Sequence, residues 1–309
     1  MRSTFVRTLC ELADRDPRVV FLTGDLGYTV VEPFAERHPD RFFNVGVAEQ
    51  NMVGLATGLA ESGFIPFVYS IATFACLRPY EFIRNGPVLH HLPVRIVGVG
   101  GGFEYGPAGP THHAVEDVGV MRLQPGLAVV CPADYQQAAA ALRATWDLPG
   151  PVYYRLGKDE RSTVPGLDGR FMLGRAEQVR EGDDLVVLAM GALAGDAVAA
   201  ADALREQGVS AAVVVVASLS PPPVEDLVAL LSRYRLAVTA EAHYVIGGLG
   251  SLVSEVVAER ALPCRVVRCG LRTALDLPGG GEQYLARAHG ISCETLVQMA
   301  LGELASAPT

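Results

Sequence analysis

Hydrophobic positions in the first half of the chain fall into two kinds of run. Short stretches that are rich in β-branched residues and apolar at nearly every position predict strands at 19–23, 42–45, 66–69, 94–99, 127–131 and 152–155. Longer stretches between them predict helices at 5–15, 50–62, 79–90, 115–123 and 136–146. Apolar strands that alternate with helices are typical of a parallel sheet covered on both faces. The pattern therefore predicts a doubly wound α/β domain.

A second alternation begins after a polar stretch at 157–169 that contains glycine and proline. It predicts strands at 185–189, 212–217, 236–239 and 265–268, and helices at 195–207, 224–233, 249–260 and 295–305. Three consecutive prolines at 221–223 predict a rigid connection between a strand and a helix. We therefore predict two doubly wound α/β domains, residues 1–165 and residues 175–309, with the boundary between about 160 and 180.

Composition narrows the class of protein. The chain has 309 residues and a net charge of −9, from 25 Lys+Arg against 34 Asp+Glu, which argues against a nucleic-acid-binding surface. No apolar run reaches the ~20 residues of a membrane-spanning helix, and the start lacks the features of a signal peptide. The 6 cysteines are scattered without a CxxC pair, which predicts buried, reduced thiols. We expect a soluble, cytoplasmic protein that binds neither nucleic acid nor a membrane.

The glycine-rich stretch at 98–109, GVGGGFEYGPAG, follows a predicted strand and leads into Pro-Thr-His112-His113. Loops at the carboxyl ends of parallel strands form the ligand crevice, and a histidine there can carry a proton near neutral pH. The stretch lacks the lysine of a phosphate-binding loop, so an ordinary surface loop is the alternative. The role of His113 is left open.

A second stretch, FNVGVAEQNM at 43–52, stops a predicted strand at glycine and opens a helix with Glu49. A carboxylate at a helix N-terminus interacts favourably with the helix dipole. On spacing alone, this local role and a functional role for Glu49 are equally good interpretations.

Six stretches together resemble the transketolase family of thiamine diphosphate enzymes, specifically the C-terminal half that some organisms encode as a separate subunit. They occur in the family's order and span nearly the whole chain: TGDLG (23–27), RFFNVGVAEQNMVGLATGLA (41–60), RPYEFIRN (78–85), GPTHHAVEDVGVMR (109–122), PVYYRLGK (151–158) and TAEAHYVIGGLGS (239–251). The resemblance implies a pyrimidine-binding domain followed by the family's C-terminal domain.

The resemblance also implies a missing half. The sequence lacks the GDG motif that helps to hold metal and diphosphate in this family. We therefore expect thiamine diphosphate as cofactor, with Mg²⁺ or a similar divalent ion held by an N-terminal-type transketolase subunit that carries GDG, in an α2β2 assembly. No metal ligand is assigned to this chain.

The family's cofactor residues can be carried over position by position. Glu49 matches the glutamate that hydrogen-bonds the aminopyrimidine ring, and Phe74 matches the aromatic residue that stacks on it. Ile71 stands where a second aromatic residue is often found, and Val47 stands where a small apolar residue packs beside the cofactor. Asp25, in TGDLG, is also assigned to the cofactor site. Simple core packing is the alternative for Phe74 and Val47.

The family's substrate residues are carried over in the same way. His112 matches the histidine that meets the reacting oxygens of the substrate, so Glu49 and His112 are the predicted catalytic residues. Arg155, Arg2 and Thr29 fall where relatives that use sugar phosphates contact phosphate, and a guanidinium group suits phosphate well. For Arg155, an interdomain salt bridge is the alternative.

Two departures from the family pattern concern the substrate. Gly100 stands where many transketolases have a phosphate-contacting histidine. Ala108 replaces an aspartate that recognises a hydroxyl group of the substrate. Sites that bind a hydroxyl discriminate strongly against ligands that lack it. We therefore expect a specialised substrate, and we expect histidine at 100 with aspartate at 108 to move activity toward the usual pentose phosphates.

The leading hypothesis is the C-terminal subunit of a heteromeric transketolase-like enzyme. It would transfer a two-carbon ketol unit between sugar or sugar-phosphate substrates, and only with its partner. The alternatives are the β subunit of a 2-oxo-acid dehydrogenase E1 component and a non-catalytic subunit that retains the fold. GPTHHAVED is of transketolase type, and a scaffold needs none of Glu49, Phe74 and His112. A single-chain deoxyxylulose-phosphate synthase would be far longer.

Overall fold

The computed structural model of the protein describes residues 1–275 and 279–306, which form two α/β domains. In the first domain a parallel sheet has the strand order β5-β6-β4-β3-β1-β2. Its strands are β1 (Val19–Thr23), β2 (Phe42–Asn44), β3 (Ile65–Ile71), β4 (Arg95–Val99), β5 (Ala128–Val130) and β6 (Val152–Leu156).

Helices cover both faces of this sheet. They are α1 (Arg2–Arg15), α2 (Glu32–Arg37), α3 (Glu49–Glu61), α4 (Ala72–Leu77), α5 (Tyr80–Ile83), α6 (Asp117–Arg122) and α7 (Tyr135–Thr145). Alternate residues of β1 show the arrangement: Val20 and Leu22 pack in the core with α3, whereas Val19 and Phe21 pack in the core with α1 and α7. The predicted doubly wound architecture of this domain is confirmed.

The second domain repeats the design on a smaller scale. Its sheet has the order β12-β11-β8-β9-β7, parallel except for β7 at the edge. The strands are β7 (Glu177–Arg180), β8 (Leu185–Ala189), β9 (Ala211–Val215), β10 (Ser218–Ser220), β11 (Leu236–Tyr244) and β12 (Arg265–Leu271). The helices are α8 (Leu193–Glu206), α9 (Val224–Leu231), α10 (Leu249–Glu259), α11 (Glu282–Ala288) and α12 (Cys293–Ser306).

The two domains are joined by more than the connecting chain. Strand β10 follows β9 in sequence but pairs antiparallel with β5 of the first sheet. One apolar core also continues from Val20 and Ile96 in the first domain to Val186 and Leu188 in the second. The polar segment at 157–169 is therefore a connection between two packed units, and the domain limits 1–165 and 175–309 stay a prediction, the last of them lying outside the described residues.

Some elements differ from the sequence prediction. The helix predicted at 79–90 is only α5, followed by a wider turn at Arg84–Val88 that contains Pro87, because proline interrupts helical hydrogen bonding. Helix α4 was not predicted, because residues 71–77 are apolar apart from Thr73 and show no helical period. In the described ranges, none of the helices is long and apolar enough to cross a bilayer. The cysteines are free thiols, and all are buried except the half-buried Cys293.

The parallel direction of the strands positions the candidate site. Their carboxyl ends lie at one edge of the first sheet, where Gly24 follows β1, Ile71 ends β3 and Gly100 follows β4. Helix α3 begins at that edge with Glu49, after β2. Segments that are distant in sequence thus converge on one crevice, as expected for parallel sheets.

Candidate functional site

Glu49 is the first residue of α3, and its side chain is buried. Oε1 accepts a hydrogen bond of 2.8 Å from Ser70 Oγ, and Oε2 accepts one of 2.8 Å from Arg78 Nη1. Both partners come from the region of β3 and α4 that follows α3 in the chain. A carboxylate in this position also interacts favourably with the N-terminus of α3. The Glu49 carboxylate is therefore held in a defined orientation at the edge of the sheet.

Phe74 on α4 is connected to this carboxylate through Arg78. The Arg78 guanidinium carbon stands 3.9 Å from the centroid of the Phe74 ring, over its face. The His112 ring meets Phe74 edge-on, with 5.0 Å between ring centroids. The structure thus brings together Glu49, Phe74 and His112, which lie in three separate stretches of the sequence.

The Glu49 side of this cluster faces an open pocket of about 830 Å³. Val47 lines the pocket with 70% of its surface exposed, so core packing does not explain this residue. Phe82 of α5 also lines the pocket and packs against Gly54 of α3. Gln50, Asn51 and Arg78 also line the pocket, so it combines one buried carboxylate with further polar groups and some apolar surface, a lining that suits a flat ring carrying hydrogen-bonding groups.

Ile71 and Asp25 lie close to Glu49 without filling the pocket. Ile71 ends β3 and is half-buried. Asp25 is exposed, and its Oδ1 accepts hydrogen bonds from Asn44 Nδ2 (2.9 Å) and Tyr28 Oη (3.1 Å). Asn44 Oδ1 in turn accepts from the backbone N–H groups of Asp25 and Gly46, each at 3.1 Å. Asn44 therefore ties together the loops after β1 and β2, a role that the sequence analysis missed.

The histidine pair separates into two environments. His112 is half-buried at the end of the turn Pro110–His112, with Nδ1 3.0 Å from Thr111 Oγ1. His113 is buried, and its ring packs edge-on against Phe103, which stacks on His289 of the second domain. Burial lowers the pKa of His113. His112 therefore faces the candidate site, whereas His113 packs between the domains.

Arg155 is buried among contacts within the protein. Its Nε donates to Asp117 Oδ2 at 2.8 Å, and its Nη2 donates to the carbonyl oxygens of Ala114 and Ala242, each at 2.9 Å. Tyr153 Oη donates to the same Asp117 oxygen at 2.7 Å. Asp117 lies in the first domain and Ala242 in the second, so Arg155 makes a salt bridge within its own domain and a hydrogen bond across the junction, rather than the interdomain salt bridge of the alternative. A phosphate contact by Arg155 would require breaking these contacts.

A second buried group lies at this domain junction. His243 Nε2 accepts a hydrogen bond from the Gly119 N–H at 3.1 Å, and Nδ1 lies 2.6 Å from the Tyr244 carbonyl oxygen. An accepting Nε2 and a donating Nδ1 define a neutral imidazole. Burial lowers the pKa of His243, and burial raises the pKa of the neighbouring Glu241 to about 7. Residues 239–251 therefore form part of the junction between the domains rather than part of the pocket.

Arg2 and Thr29 lie at the same edge of the sheet, but in the described part of the chain no contact brings them together around one ligand site. Thr29 is exposed, and its backbone N–H donates to Glu32 Oε1 at 2.8 Å. Arg2 is half-buried near Tyr105 at the start of α1, and its Nε has no hydrogen-bond partner within residues 1–275 and 279–306. Their phosphate contacts stay a prediction.

Gly100 and Ala108 also have different surroundings. Gly100 is buried with a φ of +78°, and a Cβ at this position would overlap the ring of Tyr105. Lys158 Nζ lies 4.3 Å from the centroid of that ring on its face. Ala108 is exposed in the turn Gly106–Ala108. Histidine at position 100 would therefore be strained and would require Tyr105 to move, because Tyr105 fills the space and the backbone conformation favours glycine. A gain of activity from restoring this histidine stays a prediction that the packing disfavours.

The sequence analysis assigned no role to Ser70, Arg78 or Asp117. Ser70 lies inside an apolar strand, where the pattern indicates core packing, and Asp117 opens α6, where a carboxylate suits the helix N-terminus. Arg78 was part of the quoted stretch RPYEFIRN. A cation directly after the apolar run 71–77 was the available signal.

Comparisons with known proteins agree with this architecture. Residues 1–162 match the family model of the transketolase pyrimidine-binding domain, and residues 174–295 match that of the transketolase C-terminal domain. An apulose-4-phosphate transketolase subunit of Phocaeicola vulgatus is 34% identical over 97% of this chain and 96% of its own. The 6-deoxy-6-sulfo-D-fructose transketolase subunit of Clostridium sp. strain MSTE9 is 36% identical over 97% of this chain and 93% of its own.

A solved structure extends the agreement to three dimensions. It is described as a split-gene transketolase, inactive beta4 tetramer, and it is 37% identical, with a TM-score of 0.86 over 96% of this chain and 95% of its own. Both domains and their order in the chain are therefore those of known transketolase subunits. The chain belongs to the transketolase family, with the family's pyrimidine-binding domain followed by its C-terminal domain.

Proposed function

We propose that this chain is the C-terminal subunit of a heteromeric, thiamine-diphosphate-dependent enzyme that transfers a two-carbon ketol unit between sugar or sugar-phosphate substrates. One observation carries the proposal: the buried Glu49 carboxylate, the Phe74 ring and His112 meet at the carboxyl edge of the first sheet, beside an open pocket. The relatives named as subunits of transketolases support the same activity class.

The residues fit one half of thiamine diphosphate. Glu49 offers a fixed, buried acceptor for a ring N–H, because Ser70 orients its carboxylate from behind. Phe74 offers an aromatic face on which a flat ring can stack. When bound, thiamine diphosphate supplies the nucleophilic carbon that accepts the ketol unit. His112, next to Phe74, can donate a hydrogen bond or a proton to an oxygen of the substrate.

The other half of the cofactor needs ligands from elsewhere. Residues 1–275 and 279–306 contain no group of three or more His, Cys, Asp or Glu side chains arranged to hold a metal ion. A diphosphate with Mg²⁺ requires oxygen ligands in near-octahedral geometry. We therefore assign the metal and the diphosphate to an N-terminal-type subunit, which would complete the site.

The surface around the pocket suits such a partner. Val47 and Phe82 line the pocket with exposed apolar surface, and Leu55 is exposed on α3, one residue after the Gly54 against which Phe82 packs. Grouped exposed apolar side chains are typical of protein–protein interfaces. The solved relative is described as an inactive beta4 tetramer, the behaviour expected of this subunit without its partner. We propose an α2β2 enzyme.

The substrate is expected to differ from the usual pentose phosphates. Tyr105 fills the space beside Gly100 where relatives carry a phosphate-contacting histidine, and Ala108 has no hydroxyl-binding group. The two transketolase subunits compared above are named for different sugars, yet they match this chain with 34% and 36% identity. Overall similarity therefore does not select the substrate, and the loop at 98–109 is the region that would.

The test is reconstitution with the N-terminal-type transketolase chain of the same genome. Ketol transfer is measured for each chain alone and for the purified complex, over a panel of ketoses and ketose phosphates. We expect transfer by the complex only, and low rates with xylulose 5-phosphate and ribose 5-phosphate. Ketol transfer by this chain alone would contradict the two-subunit proposal. Ordinary rates with the pentose phosphates would contradict the specialised substrate.

A further inference from the structure

Arg78 has no role in the function proposed so far, yet it contacts both Glu49 and Phe74. Its Nη1 donates to Glu49 Oε2 at 2.8 Å, and its guanidinium carbon lies 3.9 Å from the centroid of the Phe74 ring. The Arg78 side chain is 42% exposed, whereas that of Glu49 is 1% exposed. The guanidinium group is thus the movable member of the pair.

These two contacts define what we call the pyrimidine site: the Glu49 carboxylate and the facing surface of the Phe74 ring. A flat ring that donates a hydrogen bond to Glu49 while it stacks on Phe74 needs the acceptor and the ring face that Arg78 covers. Glu49 Oε1 is bound by Ser70, which is fully buried, so Oε2 is the oxygen that the pocket can reach. The guanidinium group is itself planar and stacks well on aromatic rings.

We propose that Arg78 is a displaceable occupant of the pyrimidine site, which holds Glu49 and Phe74 in place until an aminopyrimidine ring replaces it. This inference rests on the proposed function. A protein whose binding-competent conformer is only a fraction of the population binds its ligand more weakly by that fraction. Arg78 would therefore keep the isolated subunit from binding thiamine compounds tightly until the partner contributes its own contacts to the diphosphate.

The test uses the pyrimidine half of the cofactor alone, 4-amino-5-hydroxymethyl-2-methylpyrimidine, which carries no positive charge that Arg78 could repel. Its Kd for the isolated full chain is measured by ligand-observed NMR for wild type, Arg78→Met and Arg84→Met. Arg84 is the matched control because it is exposed in the same stretch and bonds Asn85 rather than Glu49. We expect Arg78→Met to lower the Kd about tenfold, and Arg84→Met to leave it unchanged.

The salt dependence of the Kd provides a second test, because a purely structural role of Arg78 would not change it. Raising NaCl weakens an exposed ion pair, so wild type should bind the pyrimidine more tightly at high salt, whereas Arg78→Met should respond little. Arg78→Lys keeps the charge but loses the planar stack, and its Kd should fall between those of wild type and Arg78→Met. Circular dichroism of each variant checks that the fold is retained.

The outcomes separate the inference from the proposed function. If Arg78→Met binds the pyrimidine as weakly as wild type, or more weakly, while Glu49→Gln abolishes binding, the inference is overturned and the proposed function stands. If binding is insensitive to Glu49→Gln, or if no variant shows saturable binding, the proposed pyrimidine site is itself wrong and the inference falls with it.

Discussion

Two of the carboxylate–arginine pairs in the first domain, one at the pocket and one at the domain junction, differ in their surroundings rather than in their N–O distance. Glu49–Arg78 and Asp117–Arg155 both have N–O distances of 2.8 Å. In the first pair the arginine is 42% exposed and faces the open pocket. In the second pair both side chains are at most 6% exposed, and Tyr153 and a carbonyl of the second domain surround them.

This difference in exposure indicates which of the two arginines can take part in ligand binding. Breaking a buried pair by removing one partner leaves an uncompensated charge and costs about 3–5 kcal/mol, whereas exposed pairs contribute about 0–1 kcal/mol. In the pocket pair only Arg78 is exposed: its guanidinium group can move into solvent while the buried Glu49 keeps its hydrogen bond from Ser70, so a ligand can take its place. Neither member of the junction pair can do this. Arginine in a motif indicates a phosphate contact only when the fold leaves its guanidinium group accessible.

The largest expected effect is on catalysis in the pocket. Glu49→Gln removes the anionic acceptor while keeping the size of the side chain, and we expect ketol transfer by the reconstituted complex to fall about 10²–10⁴-fold. Glu81→Gln, an exposed glutamate of α5 that bonds Asn85, is the matched control and should keep full activity. Equal rates for Glu49→Gln and wild type would show that Glu49 takes no part in catalysis. The pocket pair would then have no functional role to distinguish it from the junction pair.

The junction pair should show its effect on stability. Arg155→Met leaves Asp117 buried without its cation, so we expect the free energy of unfolding to drop by about 3–5 kcal/mol in urea titrations. Adding Asp117→Leu in the same chain should recover part of the loss, because the unpaired charge is then gone. A loss below about 1 kcal/mol for Arg155→Met would show that the two pairs are energetically alike.

The loop at 98–109 tests whether the substrate side can be rebuilt. Gly100→His forces a non-glycine residue into a positive φ and against Tyr105, so we expect the free energy of unfolding to fall by at least about 2 kcal/mol. We expect this variant to gain no activity toward pentose phosphates. Gly100→His with Tyr105→Gly should recover part of this stability. Ala108→Asp, at an exposed position, should stay within about 0.5 kcal/mol of wild type. A fully stable Gly100→His protein would contradict the packing described for Tyr105.

The junction should also respond to pH through His243. The pKa of His243 in the fold lies below its ordinary value of 6.5, because burial disfavours the charged ring. As the pH falls through 6.5, the unfolded chain binds a proton that the folded chain does not, so this stability is present above pH 6.5 and lost below it. We expect a slope of at most about 1.4 kcal/mol per pH unit.

The measurement is the difference in unfolding free energy between wild type and His243→Gln from pH 7.5 to 5. Glu241, whose pKa burial raises to about 7, titrates in this range with the opposite sign. It is present in both proteins and largely cancels in the difference. A difference that does not change with pH would mean that the pKa of His243 is the same in the folded and the unfolded chain, which would contradict its burial as a neutral imidazole.

The smallest expected effect is the loss of stability when Arg78 of the pocket pair is replaced. Arg78→Met should lower the free energy of unfolding by less than about 1 kcal/mol, because the arginine of this pair is partly exposed and Glu49 keeps its hydrogen bond from Ser70. Urea titrations of Arg78→Met and Arg155→Met under identical conditions give the contrast directly. A loss for Arg78→Met as large as that for Arg155→Met would make the pocket pair structural.

The sequence by itself determined the two-domain α/β architecture and much of the pocket. Apolar strands alternating with helices admit few other packings, and this pattern is carried by neighbouring residues. Glu49 and His112 could be predicted as candidates because each lies in a stretch that resembles the family, and Phe74 because of its position between two such stretches. The parallel sheet brings these segments to one edge.

Only the tertiary structure decided which arginine is available and which glycine can be replaced. Arg78 lies 29 residues from Glu49, and Arg155 lies 38 residues from Asp117 and 87 from the Ala242 carbonyl. Local patterns carry no information about such partners. Burial sets the free-energy cost of moving a charge, and burial is a property of residues brought together by the fold from distant parts of the chain. For the same reason the space beside Gly100 became visible only with Tyr105 in place.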